Sequence, residues 1–186
     1  LRKPLKKLLL VNWSKFGAVS MKINGSTLFT GVNGSGKSTI LDAMTYLITG
    51  NTQFNTAAQD RERTVLRYVR GDTKSHGEYR YLRSGEVVSY IVMEFYSPTD
   101  RSNFVVGVCI ESQDEQSQKP YWFVRPNAEI VDFNFYELNG DVLSVTPHLS
   151  LCCKGERLKA ADFLKKEMGI KQVMRQLGLR YDPTEY

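Results

Sequence analysis

Apolar and polar positions follow three successive patterns over the first 77 residues. Short apolar or loosely alternating runs come first and predict β-strands at residues 8–11, 18–23 and 26–30. Residues 39–48 then carry apolar side chains at intervals of three and four, which predicts an amphipathic helix that ends near Gly50. Residues 51–77 are polar and charged, with one weakly helical stretch at 61–69.

From residue 78 onwards, apolar and polar residues alternate with a period of two. This alternation predicts strands at residues 78–82, 87–96, 103–111, 121–125 and 134–138. Short turns such as Asn139-Gly140 separate consecutive runs. Sequential strands that are joined by short turns pair in the antiparallel sense, so we expect an antiparallel sheet and not a series of β-α-β crossovers.

The C-terminal part of the sequence returns to a helical pattern. Ala160, Phe163, Leu164 and Met168 predict an amphipathic helix over residues 159–168 that ends at Gly169, and residues 171–177 resemble the start of another helix. We therefore expect an α/β domain over residues 1–170 and the start of a helical or coiled-coil segment at 171–186.

One motif carries recognisable chemistry. Residues 31–38 read G-V-N-G-S-G-K-S, which matches the phosphate-binding pattern G-x-x-x-x-G-K-[ST], between a predicted strand and a predicted helix. Glycines allow backbone N–H groups to converge on phosphate oxygens, and the positive end of the helix dipole adds to the attraction. The predicted nucleotide-binding residues are Asn33, Gly34, Ser35, Gly36, Lys37, Ser38 and Thr39.

Within this motif, two side chains have distinct predicted roles. Lys37 reaches the β- and γ-phosphates as a cation, and the Ser38 hydroxyl is a ligand of Mg²⁺. The expected cofactors are therefore ATP and Mg²⁺. GTP is disfavoured, because the sequence contains neither the base-reading N-K-x-D string nor the D-x-x-G switch of GTPases.

Composition changes this interpretation only slightly. The 186 residues carry a formal charge of +5, and the densest basic cluster is Arg2, Lys3, Lys6 and Lys7, which suits a solvated strand edge or a contact with a phosphate backbone. Three cysteines and two distant histidines show no spacing typical of a metal site or a disulfide framework. No apolar run has the length of a membrane span or a signal-peptide core, so we expect a cytoplasmic protein without a membrane partner.

Longer strings around the motif resemble one superfamily. Residues 30–43 (T-G-V-N-G-S-G-K-S-T-I-L-D-A) and 8–16 (L-L-L-V-N-W-S-K-F) resemble the heads of SMC, Rad50, RecN and MukB-type ATPases. Residues 54–58 (F-N-T-A-A) and 67–71 (R-Y-V-R-G) more narrowly resemble the SMC-like C subunit of the Wadjet (Jet/Ept) plasmid-defence complexes. The resemblance implies the N-terminal lobe of an ABC-type P-loop NTPase head: a phosphate-loop strand-helix unit, an antiparallel β-subdomain and a C-terminal helix that leads to a coiled coil.

The same resemblance implies partners and missing parts. Such heads combine with their own C-terminal lobe, a second head (as a homodimer), kleisin-like and accessory subunits, and DNA. The C-terminal lobe supplies the Walker B carboxylates and the signature motif. Apolar runs here end in Glu94 and Glu111 without a preceding Asp, which indicates ordinary strand residues, and no Gln between 118 and 172 matches the family's glutamine loop. ATP hydrolysis is thus expected only of the completed head.

The resemblance also suggests an arginine finger after the first helix, for which Arg61 or Arg63 is the candidate; surface arginines are the alternative. Trp13 or Phe16 would pack near adenine or, more simply, in the core. Three other functions stay open: a Rad50-, RecF- or RecN-like DNA-repair ATPase, a transporter-type ABC subunit, and a regulatory module that binds ATP without hydrolysing it.

Overall fold

A computed structural model describes residues 1–23, 36–54 and 63–182. The strands in chain order are β1 Leu5–Trp13, β2 Phe16–Lys22, β3 Asp72–Ser75, β4 Glu78–Tyr81, β5 Val87–Ser97, β6 Ser102–Asp114, β7 Ser117–Arg125, β8 Tyr136–Asn139, β9 Val142–Val145, β10 Cys152–Cys153 and β11 Glu156–Arg157. The helices are α1 Gly36–Thr49, α2 Val65–Arg70 and α3 Lys166–Leu177. The predicted strand at 26–30 lies outside the described residues.

A five-stranded sheet in the order β2-β1-β5-β6-β7 is the centre of the fold, and every neighbouring pair is antiparallel. The predicted antiparallel sheet is therefore confirmed. Its middle strands are long because the alternation persists: β5 and β6 stay in register from Val87↔Ser112 to Ser97↔Ser102. The β1–β2 hairpin joins this sheet through β1, which pairs with β5.

Alternation of side chains along the strands divides the core into two layers. On the helix side, Leu8, Leu10, Ile91 and Met93 pack against the apolar faces of the three helices. On the segment side, the alternate residues face residues 126–165, which we call the covering segment. That second layer contains Leu9, Val11, Tyr90, Val92, Val105, Cys109, Phe123, Ala128, Ile130, Phe135, Leu151, Cys153 and Leu158.

Asn12 breaks this alternation near the end of β1. Its φ is 51°, in the left-handed region that Asn tolerates better than most residues. The side chain donates to the Val88 carbonyl (3.0 Å) and the Asn12 carbonyl accepts from the Ser89 hydroxyl (2.7 Å), which hold the distortion in place. As a result Trp13 packs with Leu10 on the helix side, although strict alternation would place it on the other side.

The C-terminal helix differs from its prediction. Ala160–Asp162 forms a 3-10 turn, Leu164 bridges to Trp122 of β7, and α3 runs from Lys166 to Leu177. The predicted helix at 159–168 and its end at Gly169 are wrong. Gly169 is needed for close packing instead, because a Cβ there would lie 2.2 Å from the Trp122 Cβ. The division of the chain at residues 170 and 171 stays a prediction, although α3 runs through that point.

Smaller differences concern residues 63–145. The weakly helical stretch becomes α2, which begins at Val65 after its N-cap Thr64. The predicted strand at 78–82 is β4, and it pairs with β3, which the sequence pattern did not predict. The predicted strand at 134–138 is β8, which forms a hairpin with β9 around Asn139-Gly140. Helix α3 ends at a left-handed Gly178, and the residues described after it, 179–182, are not helical.

Candidate nucleotide site

The N-terminal turn of α1 carries the part of the phosphate-binding motif that the structure describes. The helix begins at Gly36, and Lys37 is exposed, while Ser38 is half-buried and Thr39 is buried. Asn33, Gly34 and Ser35 lie outside the described residues. The first N–H groups of a helix have no acceptor within it, and together with an exposed ammonium group and a hydroxyl they fit a phosphate bound with Mg²⁺. Lys37 would contact the phosphates and Ser38 the metal ion.

Two tryptophans fix α1 at both ends. The Trp13 Nε1 donates to the Thr39 carbonyl (3.0 Å), and the Trp122 Nε1 donates to the Leu47 carbonyl (2.9 Å). Leu47 lies in the last turn, where carbonyl groups lack a partner within the helix. Both indoles are fully buried, so α1 is held against the sheet by polar contacts as well as by apolar packing.

An ionic cluster follows one helical turn after Ser38. The Tyr68 hydroxyl donates a short hydrogen bond to the Asp42 carboxylate of α1. The Arg63 Nη1 lies 3.6 Å from the same carboxylate oxygen and 3.4 Å from the Tyr68 hydroxyl. Burial, and then the neighbouring Asp42, raise the pKa of Tyr68, so its hydroxyl keeps its proton. The structure thus places the predicted Arg63 beside α1, whereas Arg61 lies outside the described residues.

Tyr68 itself is held by aromatic packing. Its ring stacks on Trp13 with centroids 4.5 Å apart, and Phe54 meets it edge-on at 5.2 Å. The Tyr68 carbonyl accepts from the Ser14 N–H (2.6 Å). Trp13 is therefore a core residue that supports the site, which confirms the simpler of its two interpretations. Phe16 is half-buried and packs against the same core.

Arg70 is a buried residue that sequence reasoning missed. Its side chain is fully buried at the end of α2, and its guanidinium donates to the Ser112 hydroxyl and to the backbone carbonyls of Arg83 (3.2 Å), Gly85 (2.8 Å) and Asp114 (3.1 Å). Across the described ranges, no carboxylate forms an ion pair with it. Arg70 therefore ties α2 to the β4–β5 connection and to the β6–β7 hairpin through neutral acceptors. No local sequence signal marks an arginine of this kind.

Arg83 reinforces the same junction. It donates to the carbonyls of Val69 (2.9 Å) and Phe16 (2.8 Å), and burial lowers its pKa to about 10. Residues 82–86 connect β4 to β5 and do not start a helix. The Leu82 N–H donates to the carbonyl of Gly71, whose φ of 70° ends α2.

The two strand carboxylates have structural partners. Glu94 is buried and accepts from the Ile130 N–H (2.7 Å), and Glu111 accepts from the N–H and the ring Nδ1 of His148 (2.8 and 2.7 Å). Both hold the covering segment to the sheet. Both residues lie within strands, as predicted. Within residues 1–23, 36–54 and 63–182, no cluster of His, Cys, Asp and Glu could hold a metal ion.

The four residues of the basic cluster at the N-terminus have different surroundings. The Lys3 ammonium donates to the Gln176 carbonyl (2.6 Å) near the end of α3, where a cation favours the helix dipole. Lys7 lies directly opposite Lys22 across the β1–β2 pair. Arg2 and Lys6 are exposed.

Residues 5–61 match the family model described as the P-loop containing region of AAA domain. This part of the chain is a P-loop nucleotide-binding region. The matched residues include β1, β2 and α1 and end just before the described Arg63. A P-loop region implies a nucleotide and usually Mg²⁺, in agreement with the chemistry of Lys37 and Ser38. No curated protein matches the chain.

In the parts of the chain that the structure describes, none of the helices is both long and apolar enough to cross a membrane.

Proposed function

We propose that this chain is the ATP-binding half of the head of an SMC-like ATPase that acts on DNA in plasmid defence, loop extrusion or condensation. The supporting observation is the phosphate-binding motif, which leads directly into α1, together with the antiparallel sheet on which α1 packs. The SMC-like assignment rests on the resemblance of residues 8–16 and 30–43, and the Wadjet-like one on residues 54–58 and 67–71.

In this proposal the chain's residues bind and orient ATP and supply part of the charge neutralisation. The α1 N–H groups and Lys37 hold the phosphates, and Ser38 contributes one ligand to Mg²⁺, which would polarise the γ-phosphoryl group. Arg63, beside Asp42, would supply a further positive charge. The chain would need a Walker B carboxylate to activate water, so the C-terminal lobe and a second head complete the site.

The first experiment measures binding. The chain is titrated with fluorescent ATP in the presence of Mg²⁺, and with GTP and ADP as competitors. Lys37→Ala should weaken ATP binding by about 10- to 100-fold, because a charge-assisted contact with the phosphates is lost. Lys165→Ala is the matched control, since Lys165 is exposed at the start of α3 and has no side-chain capping bond. Equal affinity of the wild type and Lys37→Ala would refute nucleotide binding at this loop.

The second experiment measures turnover. The chain alone should hydrolyse essentially no ATP, whereas the chain joined to its C-terminal lobe should hydrolyse ATP in a manner that depends on Lys37 and is stimulated by DNA. Measurable hydrolysis by residues 1–186 alone would contradict the split-head proposal. A completed protein that hydrolyses ATP at the same rate with Lys37→Ala would contradict the ATPase mechanism.

A further inference from the structure

We propose that Tyr68 is a positioning residue of the nucleotide site, whose hydroxyl orients Asp42 and thereby sets Arg63 beside the first turns of α1 to favour a nucleoside triphosphate over a diphosphate. This inference rests on the proposed function and deepens it. The carrying observation is the three-membered cluster in which one Asp42 oxygen faces both the Tyr68 hydroxyl and the Arg63 guanidinium.

The position of Asp42 on α1 connects the cluster to the phosphate site. Ser38 and Asp42 are four residues apart in a continuous helix, so their side chains lie on one face with Cβ atoms about 5–6 Å apart. The carboxylate that contacts the Arg63 guanidinium therefore lies one helical turn from the hydroxyl of the motif. Thr64, the residue after Arg63, caps α2 by accepting from the Arg67 N–H (3.1 Å), which fixes the backbone where Arg63 enters the cluster.

The hydroxyl of Tyr68 is a rigid reference point in this cluster. Stacking on Trp13 and the edge contact with Phe54 fix the ring plane, and the residue is only 6% exposed. Its N–H donates to the Thr64 carbonyl and its carbonyl accepts from Ser14. Because the ring cannot turn without disturbing this packing, the hydroxyl fixes the direction of the Asp42 carboxylate.

The contacts of Arg63 within the cluster are long enough to be exchanged. The distances of 3.6 Å to Asp42 and 3.4 Å to Tyr68 exceed the 2.7–2.9 Å that is usual for strong charge-assisted hydrogen bonds. Tyr68 already donates to the Asp42 oxygen that faces Arg63, which weakens that oxygen as a partner for the guanidinium. A terminal phosphate carries more charge and suits the planar fork of an arginine. Each of these two contacts is thus weaker than a contact between Arg63 and a γ-phosphate would be.

The test compares ATP with ADP. The affinities of Mg-ATP and Mg-ADP are measured for the chain and for Tyr68→Phe, which keeps the ring and removes only the hydroxyl. We expect ATP binding to weaken by about five-fold and ADP binding to change by less than about two-fold. Asp42→Asn should shift the ratio in the same direction, and it serves as the second variant if Tyr68→Phe lowers the melting temperature. Tyr90→Phe, which removes a buried hydroxyl on the other side of the sheet, should leave the ratio unchanged.

A double-mutant cycle separates positioning from simple packing. If Tyr68 acts through Arg63, Tyr68→Phe should have little further effect on ATP affinity in an Arg63→Ala background. Additive losses, or equal losses for ATP and ADP, would overturn the inference. Lys37→Ala separates the proposed function from the role of Tyr68. If Lys37→Ala leaves ATP affinity unchanged, the proposed function fails. If ATP affinity depends strongly on Lys37 but Tyr68→Phe leaves the ATP/ADP affinity ratio unchanged, only the role of Tyr68 is overturned.

Discussion

The two sides of the central sheet are covered in different ways. On the helix side, regular helices pack on the strands, and buried polar side chains from the sheet and α2 reach α1 at three points: Trp13 to Thr39, Tyr68 to Asp42, and Trp122 to Leu47. On the segment side, short hairpins and 3-10 turns cover the strands, and the polar contacts fix the covering segment itself, as at Glu111 and His148.

The two sides therefore use their buried polar groups for different purposes. Polar contacts on the helix side orient one element, the helix that follows the phosphate-binding motif. Polar contacts on the segment side satisfy the backbone of irregular chain that would otherwise lack partners, as the Glu94 carboxylate does for the Ile130 N–H. Substitutions of the polar groups that contact α1 should therefore change nucleotide binding, whereas substitutions of the polar groups that hold the covering segment should change stability and leave nucleotide binding unaltered.

Arg70 should give the largest effect. Arg70→Leu removes the donor for several buried carbonyl groups and the Ser112 hydroxyl, so we expect the free energy of unfolding to fall by about 3–5 kcal/mol. Denaturant unfolding followed by circular dichroism measures this change. Arg67→Leu in the same helix is the matched control, because Arg67 is only half-buried. A loss below about 1 kcal/mol for Arg70→Leu would show that the junction at the end of α2 is not essential.

Gly169 tests how closely the helix side is packed. Gly169→Ala places a methyl group 2.2 Å from the Trp122 Cβ, and we expect a loss of about 2–3 kcal/mol with a displaced α3. Gly17→Ala is the control, since its methyl group would meet only the Leu143 side chain at an ordinary 3.7 Å. Thermal unfolding of the two variants should differ by several degrees. Equal melting temperatures would contradict the tight contact between α3 and β7.

Substitution of Lys7 and Lys22 tests whether the segment side of the sheet contributes to DNA binding. Two like charges directly opposite on neighbouring strands destabilise the pair unless an anion lies near them. Reversing both (K7E/K22E) should weaken binding to duplex DNA by about ten-fold and lower the slope of log affinity against log salt by about two. Arg157→Glu with Lys165→Glu gives the same change of net charge elsewhere. If both double variants lose the same affinity for DNA, Lys7 and Lys22 make no specific contact with DNA. Their role is then to keep the exposed edge strand from pairing with other chains.

Tyr90→Phe should have the smallest effect, and its comparison with Tyr68→Phe tests the two sides of the sheet most directly. Its hydroxyl donates to the Thr146 carbonyl in the covering segment, as the Tyr68 hydroxyl donates to Asp42 on the other side. Tyr90→Phe should cost about 1 kcal/mol of stability and leave the ATP/ADP affinity ratio unchanged. Tyr68→Phe should change that ratio. A shift of the ratio in both variants would remove the functional distinction between the two sides.

The sequence predicted the elements whose patterns are local. Helix α1 and strands β5 and β6 follow from their periodicity, and the phosphate-binding motif from its spacing. Strand β3 was not predicted because the residues Asp72–Ser75 show no apolar alternation, and the strand forms by pairing with β4. The last helix was predicted to start too early because the apolar spacing of Ala160 and Leu164 fits a helix. In the structure, Ala160 lies in a 3-10 turn and Leu164 bridges to Trp122.

The site was predictable only in part, for a similar reason. Lys37 and Ser38 lie within one motif, so their roles can be expected from the sequence. The supporting residues come from distant parts of the chain: Trp13 from β1, and Tyr68 from α2. Trp13 also reaches α1 only because Asn12 adopts a left-handed conformation, which no hydrophobic pattern specifies. Arg70 was missed because charged residues are expected at the surface, and only its several backbone acceptors explain its burial.

The attachment of α1 to the sheet through two tryptophans has a practical consequence for fluorescence spectroscopy. The chain contains two tryptophans, and their indole N–H groups donate to opposite ends of this one helix, Trp13 to the first turn and Trp122 to the last. Native emission therefore reports, without any attached dye, whether that helix keeps its place when a nucleotide arrives. Trp122→Phe would leave a fluorophore that monitors the phosphate end alone, and Trp13→Phe one that monitors the far end, so a tilt and a whole-body shift would give different signals.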